Sequence, residues 1–150
     1  MIRTSKPRQD CPRIHDKGFQ EIVKKISALC LRESAIDAAY LFGSAATGKM
    51  RPVSDLDVAV LLDDASLDEF RLLAFLSSLE RSCGCRADVV ILNRAGEVLK
   101  YEVRRSGRLV FERDSSKRKQ FEISGRKTYE DFLYLHRRHT GAVLYGETHG

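Results

Sequence analysis

Two aspartates, Asp55 and Asp57, stand two apart at the head of an apolar run, Val58-Ala59-Val60-Leu61-Leu62. In a strand, residues two apart point to the same face, so a strand from Asp55 to Leu62 projects both carboxylates together and turns Leu56 to the other side. Carboxylates held side by side repel, and one stays protonated unless a cation sits between them. A hard divalent ion with oxygen ligands, Mg²⁺ above all, suits that position. Just upstream, the apolar run Ala38-Ala39-Tyr40-Leu41-Phe42 ends abruptly in Gly43-Ser44, and a short helix is expected from Ala45 to Lys49. Glycine lets backbone come close to a ligand, and a helix start offers N–H groups without intrahelical partners, so this corner can hold phosphate. Phosphate and metal features this close together point to nucleotide chemistry.

The elements that must position these residues can be read from periodicity. Between Gly18 and Arg32, Phe19, Ile22, Val23, Ile26, Leu29 and Cys30 recur at steps of three and four, the stripe of an amphipathic helix. A first strand is expected from Ile36 to Phe42 and a second from Asp55 to Leu62. Ser66-Leu67-Asp68-Glu69 has the spacing of a capping box. It opens a helix through about Arg81 with Phe70, Leu73, Leu76 and Leu79 facing inward, helped by Leu72 and Phe75, and Gly84 ends it. Arg86 to Leu92 reads as a third strand, in which Asp88 interrupts an apolar run and is expected at an exposed edge. An acid there either caps or pairs with an arginine such as Arg86, or it is a ligand. Glu97 to Ser106 reads as a helix stopped by Gly107, and Arg108 to Glu112 as a short edge strand. From Asp114 to about Arg138, Phe121, Thr128, Phe132 and Leu135 recur at helical spacing, with a kink or break expected at Gly125. Tyr129, Phe132, Tyr134 and Leu135 exceed one core stripe; packing on the sheet is the simpler account, a partner-docking surface the other.

At 150 residues the chain is expected to form one domain, and 43% hydrophobic with 31% charged residues is ordinary for a globular protein. The net charge of +5 favours phosphates or an acidic partner only mildly. With no Trp and few clustered aromatics, no base-stacking platform and no direct nucleic-acid binding are expected. No apolar stretch approaches the ~20 residues that cross a bilayer, and the charged N-terminus lacks the apolar core of a secretory signal, so a cytoplasmic location is expected. Cys83-Gly84-Cys85 invites a zinc assignment, but Cys11, Cys30 and the histidines (His15, His136, His139, His149) lie far along the chain or in its tails. Reduced structural thiols are the expectation. The expected organisation is a flexible basic arm over residues 1–16, a domain over 17–139 with its C-terminal helix, and a flexible tail over 140–150.

Gly43-Ser44, a ten-residue gap and Asp55-Leu56-Asp57 together resemble the minimal nucleotidyltransferases of the DNA polymerase β-like superfamily, whose signature is Gly-Ser, a fixed gap and Asp-x-Asp. The resemblance spans roughly residues 18 to 112. It implies an α+β (α/β-like) fold, a small mixed sheet with helices packed on it. It also implies a third carboxylate on a neighbouring strand, which Asp88 fits. In such a site Asp55, Asp57 and Asp88 hold two Mg²⁺ ions, Asp88 also accepting the hydroxyl proton. Gly43 and Ser44 hold the β- and γ-phosphates of ATP, and Lys49 and Arg51 stand where they could offset phosphate charge or point into solvent. Small stand-alone members of this kind resemble the antitoxins of HEPN/MNT toxin–antitoxin pairs. That implies transfer of AMP from ATP to a tyrosine hydroxyl of a HEPN ribonuclease toxin. Two other readings stay open. One is an adenylyltransferase acting on a small-molecule hydroxyl such as an aminoglycoside, with self-association to share a cleft; the other is a non-catalytic module that masks a toxin by contact. Arg137-Arg138-His139 lacks the spacing of the toxin's own Arg-x₄₋₆-His motif, so no ribonuclease activity is assigned.

Overall fold

A computed structural model describes residues 2–3, 16–46, 55–63 and 68–144. Five strands form one mixed sheet: β1 (Ile2–Arg3), β2 (Ile36–Phe42), β3 (Leu56–Leu62), β4 (Ala87–Ile91) and β5 (Arg108–Glu112), in the order β1-β4-β3-β2-β5. The β3–β4 pair is parallel and the other three pairs are antiparallel. Four helices accompany them: α1 (Asp16–Arg32), α2 (Glu69–Cys83), α3 (Glu97–Ser106) and α4 (Ser115–Leu144). Short 3₁₀ turns follow β2 (Gly43–Ala45) and β4 (Leu92–Arg94).

Side-chain alternation divides the interior. Leu56, Val58, Val60 and Leu62 of β3 join Ala87 and Val89 of β4 in a core closed by Ile22, Ile26 and Cys30 of α1 and Leu72, Phe75, Leu76 and Leu79 of α2. Ala59 and Leu61 of β3, Val90 of β4 and Ala38, Tyr40 and Phe42 of β2 form the opposite core with Val103 of α3; Leu99 and Phe121 pack on it. A strand covered on both faces needs apolar residues throughout, and the continuous runs in β2 and β3 meet that need.

The polar ties between the sheet and α4 are specific. Tyr40 Oη donates to Glu122 Oε1 at 2.7 Å, and Arg118 Nη1 donates to the same oxygen at 2.9 Å. Lys117 bridges Asp63 and Asp37, the second at 3.6 Å. Arg113 donates from Nη2 to Cys30 O at 2.9 Å and from Nε to Ile36 O at 3.0 Å, serving carbonyls where α1 ends without a glycine. Asn93 closes the far end of β3 with a two-way amide clamp, accepting from Leu62 N and donating to Leu62 O at 2.9 Å each.

Several sequence expectations need correction. The N-cap of α2 is Asp68, whose side chain accepts from Arg71 N at 2.7 Å; Ser66 lies outside the described residues. With the helix phased from that cap, Phe70 (82% exposed) and Leu73 (40%) face solvent rather than the core. Asp88 is buried, because β4 is flanked by β3 on one side and β1 on the other and so is no edge. Within the stretch expected to be an arm, Ile2–Arg3 pairs with β4, while residues 4–15 lie outside the described residues. α4 runs without a break through Gly125 and on to Leu144. Its glycine packs against Arg104, where a side chain would collide. Cys30, Cys83 and Cys85 are buried, and burial pushes the Cys83 thiol up to about 11 and the Cys30 thiol up to about 12. Cys11 and the residues after 144 lie outside the described residues.

Tyr40→Phe keeps the ring and deletes one partly buried hydrogen bond, so it should destabilise the chain by about 1 kcal/mol in equilibrium urea unfolding. Burial raises the Asp37 carboxyl above its ordinary range, with Lys117 opposing. A carboxyl whose folded pKa exceeds its unfolded one loses stability as pH rises from about 4. Asp37→Asn removes that loss. Its stability relative to the parent chain should therefore improve as pH rises above about 4 and level off once the folded carboxyl has ionised, in unfolding curves taken at matched ionic strength.

Candidate active site

The register of the parallel pair sets Asp57 directly opposite Asp88, and side chains opposite one another on adjacent strands point to the same face. By alternation that face is the one covered by α3 and α4, since Asp57 alternates with Leu56 and Val58 of the other core. Asp57 also lies opposite Phe42 in the antiparallel β2–β3 ladder, which brings the following Gly43 beside it. Asp57 is partly buried and Asp88 is 1% exposed.

The start of this strand pair is pinned twice. Leu56 N donates to Arg86 O at 2.8 Å. The Glu80 carboxylate, on α2, accepts from Ala87 N at 3.0 Å. Those bonds fix the residues immediately before Asp57 and Asp88, so the acids inherit their placement from backbone rather than from long side-chain reach. Asp55 lies just ahead of β3, partly buried.

Gly43 has φ +69°, a left-handed conformation that side chains resist. A Cβ placed there would overlap Oδ2 of Asp57 and stand 3.3 Å from its Cγ. The glycine therefore serves two ends at once: it turns the chain sharply out of β2, and it leaves the volume the Asp57 carboxylate fills. Ser44 sits in the 3₁₀ turn that follows, partly buried. The turn is shorter than the helix expected from Ala45 to Lys49. Lys49 and Arg51 lie outside the described residues.

Register and packing thus bring together Gly43, Ser44, Asp57 and Asp88. Among the described residues no three acidic, histidine or cysteine side chains stand close enough to form a metal cage by themselves. The donor set still suits Mg²⁺. It is all oxygen, with two carboxylates in adjacent register, and Mg²⁺ is ordinarily held by one or two carboxylates together with substrate phosphates. What the sequence pattern did not disclose is the contact between Gly43 and Asp57, because spacing shows a turn but not what lies against it. The roles of Glu80 and Arg86 in pinning the strand starts were equally hidden, having no motif of their own.

A family model described as "Polymerase beta, Nucleotidyltransferase" matches residues 24–116. The chain belongs to the polymerase β nucleotidyltransferase family. The match takes in Gly43-Ser44, Asp55, Asp57 and Asp88, so the corner described above lies inside the nucleotidyltransferase domain. Among solved structures, a toxin–antitoxin complex with AMP-PNP is 26% identical with TM-score 0.70, the alignment covering 81% of this chain and 98% of that one. A tri-AMPylated Shewanella oneidensis HEPN toxin in complex with MNT antitoxin gives 24% identity and TM-score 0.67, with 84% and 98% covered. An MntA–HepT toxin–antitoxin structure gives 22% and 0.62, with 87% and 99% covered. A search of curated proteins returned no match. No helix among the described residues is long and apolar enough to cross a membrane.

Gly43→Ala should cost roughly 1–3 kcal/mol of stability, from its strained backbone and the displaced Asp57. The same unfolding assay measures it, and a structure of the variant should show the Asp57 carboxylate displaced from its place beside residue 43.

Proposed function

We propose that the chain transfers AMP from ATP to a tyrosine hydroxyl of a HEPN toxin and so acts as its antitoxin. The observation that carries the reaction class is the cross-strand pairing of Asp57 with Asp88 beside Gly43 in a polymerase β nucleotidyltransferase domain. The nucleotide donor and the acceptor rest on the neighbouring folds: one complex holds AMP-PNP and another an AMPylated HEPN toxin beside its MNT antitoxin.

The residues divide the work as follows. Asp57 and Asp88, with Asp55 just ahead of β3, are the carboxylates that would hold Mg²⁺ together with the oxygens of the bound triphosphate. When bound, Mg²⁺ supplies positive charge where the α-phosphorus is attacked and where pyrophosphate leaves. The Gly43–Ser44 turn presents backbone N–H groups and the Ser44 hydroxyl to the β- and γ-phosphates. Asp88, buried and held by the strand register, takes the proton of the attacking hydroxyl. The acceptor oxygen bonds to the α-phosphorus, the bond from that phosphorus to the bridging oxygen breaks, and pyrophosphate departs with its electron pair. Lys49 and Arg51 are assigned to the phosphate charge from their sequence position alone. Holding the reacting groups in line and offsetting their charge accounts for most of such a rate enhancement.

Incubation with labelled ATP, Mg²⁺ and a purified cognate HEPN protein, followed by intact mass, should show one or more AMP units on a tyrosine of that protein. Label on an aminoglycoside instead would establish the small-molecule reading, and no transfer to either would leave a binding module. Asp57→Asn and Asp88→Asn should each lower transfer by at least about a hundredfold while leaving the thermal midpoint within a few degrees of the parent. Either variant transferring AMP at the parent rate would refute the assignment.

A further inference from the structure

A second concave site lies between α3 and α4, away from the Gly43–Asp57–Asp88 corner in its lining. It is a cleft of about 300 Å³ bounded by Tyr101, Arg104, Arg105, Arg126, Tyr129 and Glu130. Three guanidinium groups face one carboxylate, leaving a formal excess of two positive charges in a space the size of a small-molecule pocket. The wall is stiff. Tyr101 and Tyr129 stack with centroids 4.2 Å apart and planes 11° from parallel, and the stack continues through Phe132 to His136.

Arg104 is the unusual member. Both of its terminal nitrogens are buried, and neither has a hydrogen-bond acceptor. A guanidinium withdrawn from water without a partner is costly. The opposing helix makes room for it at Gly125, where a Cβ would overlap Arg104 Nη1 and stand 3.0 Å from Cζ. Glycine inside a helix costs about 1 kcal/mol relative to alanine. The chain therefore keeps a buried, unpartnered guanidinium in the lining of this cleft. Arg105 and Arg126 at the rim are exposed, so their forks are available to a ligand.

We infer that the α3–α4 cleft binds a small phosphate-bearing molecule, with Arg105 and Arg126 gripping the phosphate and Arg104 supplying the charge beneath it. A phosphate dianion matches the excess of two charges better than a single carboxylate does, and guanidinium forks fit phosphate oxygens in pairs. The inference does not depend on AMP transfer, since none of the lining residues is assigned to that reaction.

The test is ¹⁵N–¹H spectroscopy of the full chain titrated with inorganic phosphate at constant ionic strength, without nucleotide or divalent metal. Saturable shifts should appear at residues 101–105 and 125–130. The double variant Arg105→Gln/Arg126→Gln, changed only at exposed positions, should keep the parent spectrum elsewhere and bind phosphate roughly tenfold or more weakly. Absence of saturable shifts would overturn the inference. So would shifts confined to residues 41–44 and 55–58, or an affinity unchanged in the double variant.

Discussion

Two aspartates placed opposite one another on neighbouring strands constrain this molecule more than any other feature. Strands stand about 4.8 Å apart, and at that range two unit charges in an effective dielectric of 20 repel by about 3 kcal/mol. The parallel register of β3 and β4 nevertheless sets Asp57 opposite Asp88. The pairing is maintained from behind, by Leu56, Val58, Ala87 and Val89 buried against α1 and α2. A slip of one residue would turn those apolar chains to the wrong side, so the cost of separating the acids is the cost of dismantling the larger core. Like charges held this firmly recruit positive charge.

The two faces of the sheet therefore do different work. One is packed by α1 and α2 and sets register. The other carries the acids at one end and, further along, the smaller core beneath α3 and α4, where Tyr40 meets Glu122. Glu122 illustrates the balance there: burial raises its carboxyl, but the hydrogen bonds from Tyr40 and Arg118 outweigh that and hold it below the usual range. Its contribution to stability is thus present at neutral pH and fades on acidification through the carboxylate range.

Much of this was legible in the residues. Continuous apolar runs located β2, β3 and β4; period two assigned Leu56 and Asp57 to opposite faces; the step-of-three-and-four stripe found α1 with its buried Ile22, Ile26 and Cys30. Gly43-Ser44 and Asp57 marked the corner that the strand register assembles. The misreadings have two causes, the local choice of a helix cap and contacts made by residues distant in sequence. The capping-box spacing pointed to Ser66, whereas Asp68 caps α2, and Phe70 and Leu73 face solvent. Gly125 looks like a break until Arg104 from α3 is found beneath it. A two-residue strand such as β1 carries no periodicity at all, and its pairing with β4 is set wholly by the edge it meets.

α4 is thirty residues long, roughly 45 Å at 1.5 Å per residue, and its attachments are unevenly spread. Lys117, Arg118, Phe121, Glu122 and Gly125 tie its first half to the sheet and to α3. Beyond Tyr129 the helix relies on its own ring stack, with Tyr134 and Leu135 mostly exposed. Opening free energy in a helix follows such anchoring. Amide protons should therefore exchange with solvent slowly through residue 125 and progressively faster towards Leu144, making the distal half a separately melting unit that can reshape without disturbing the paired acids.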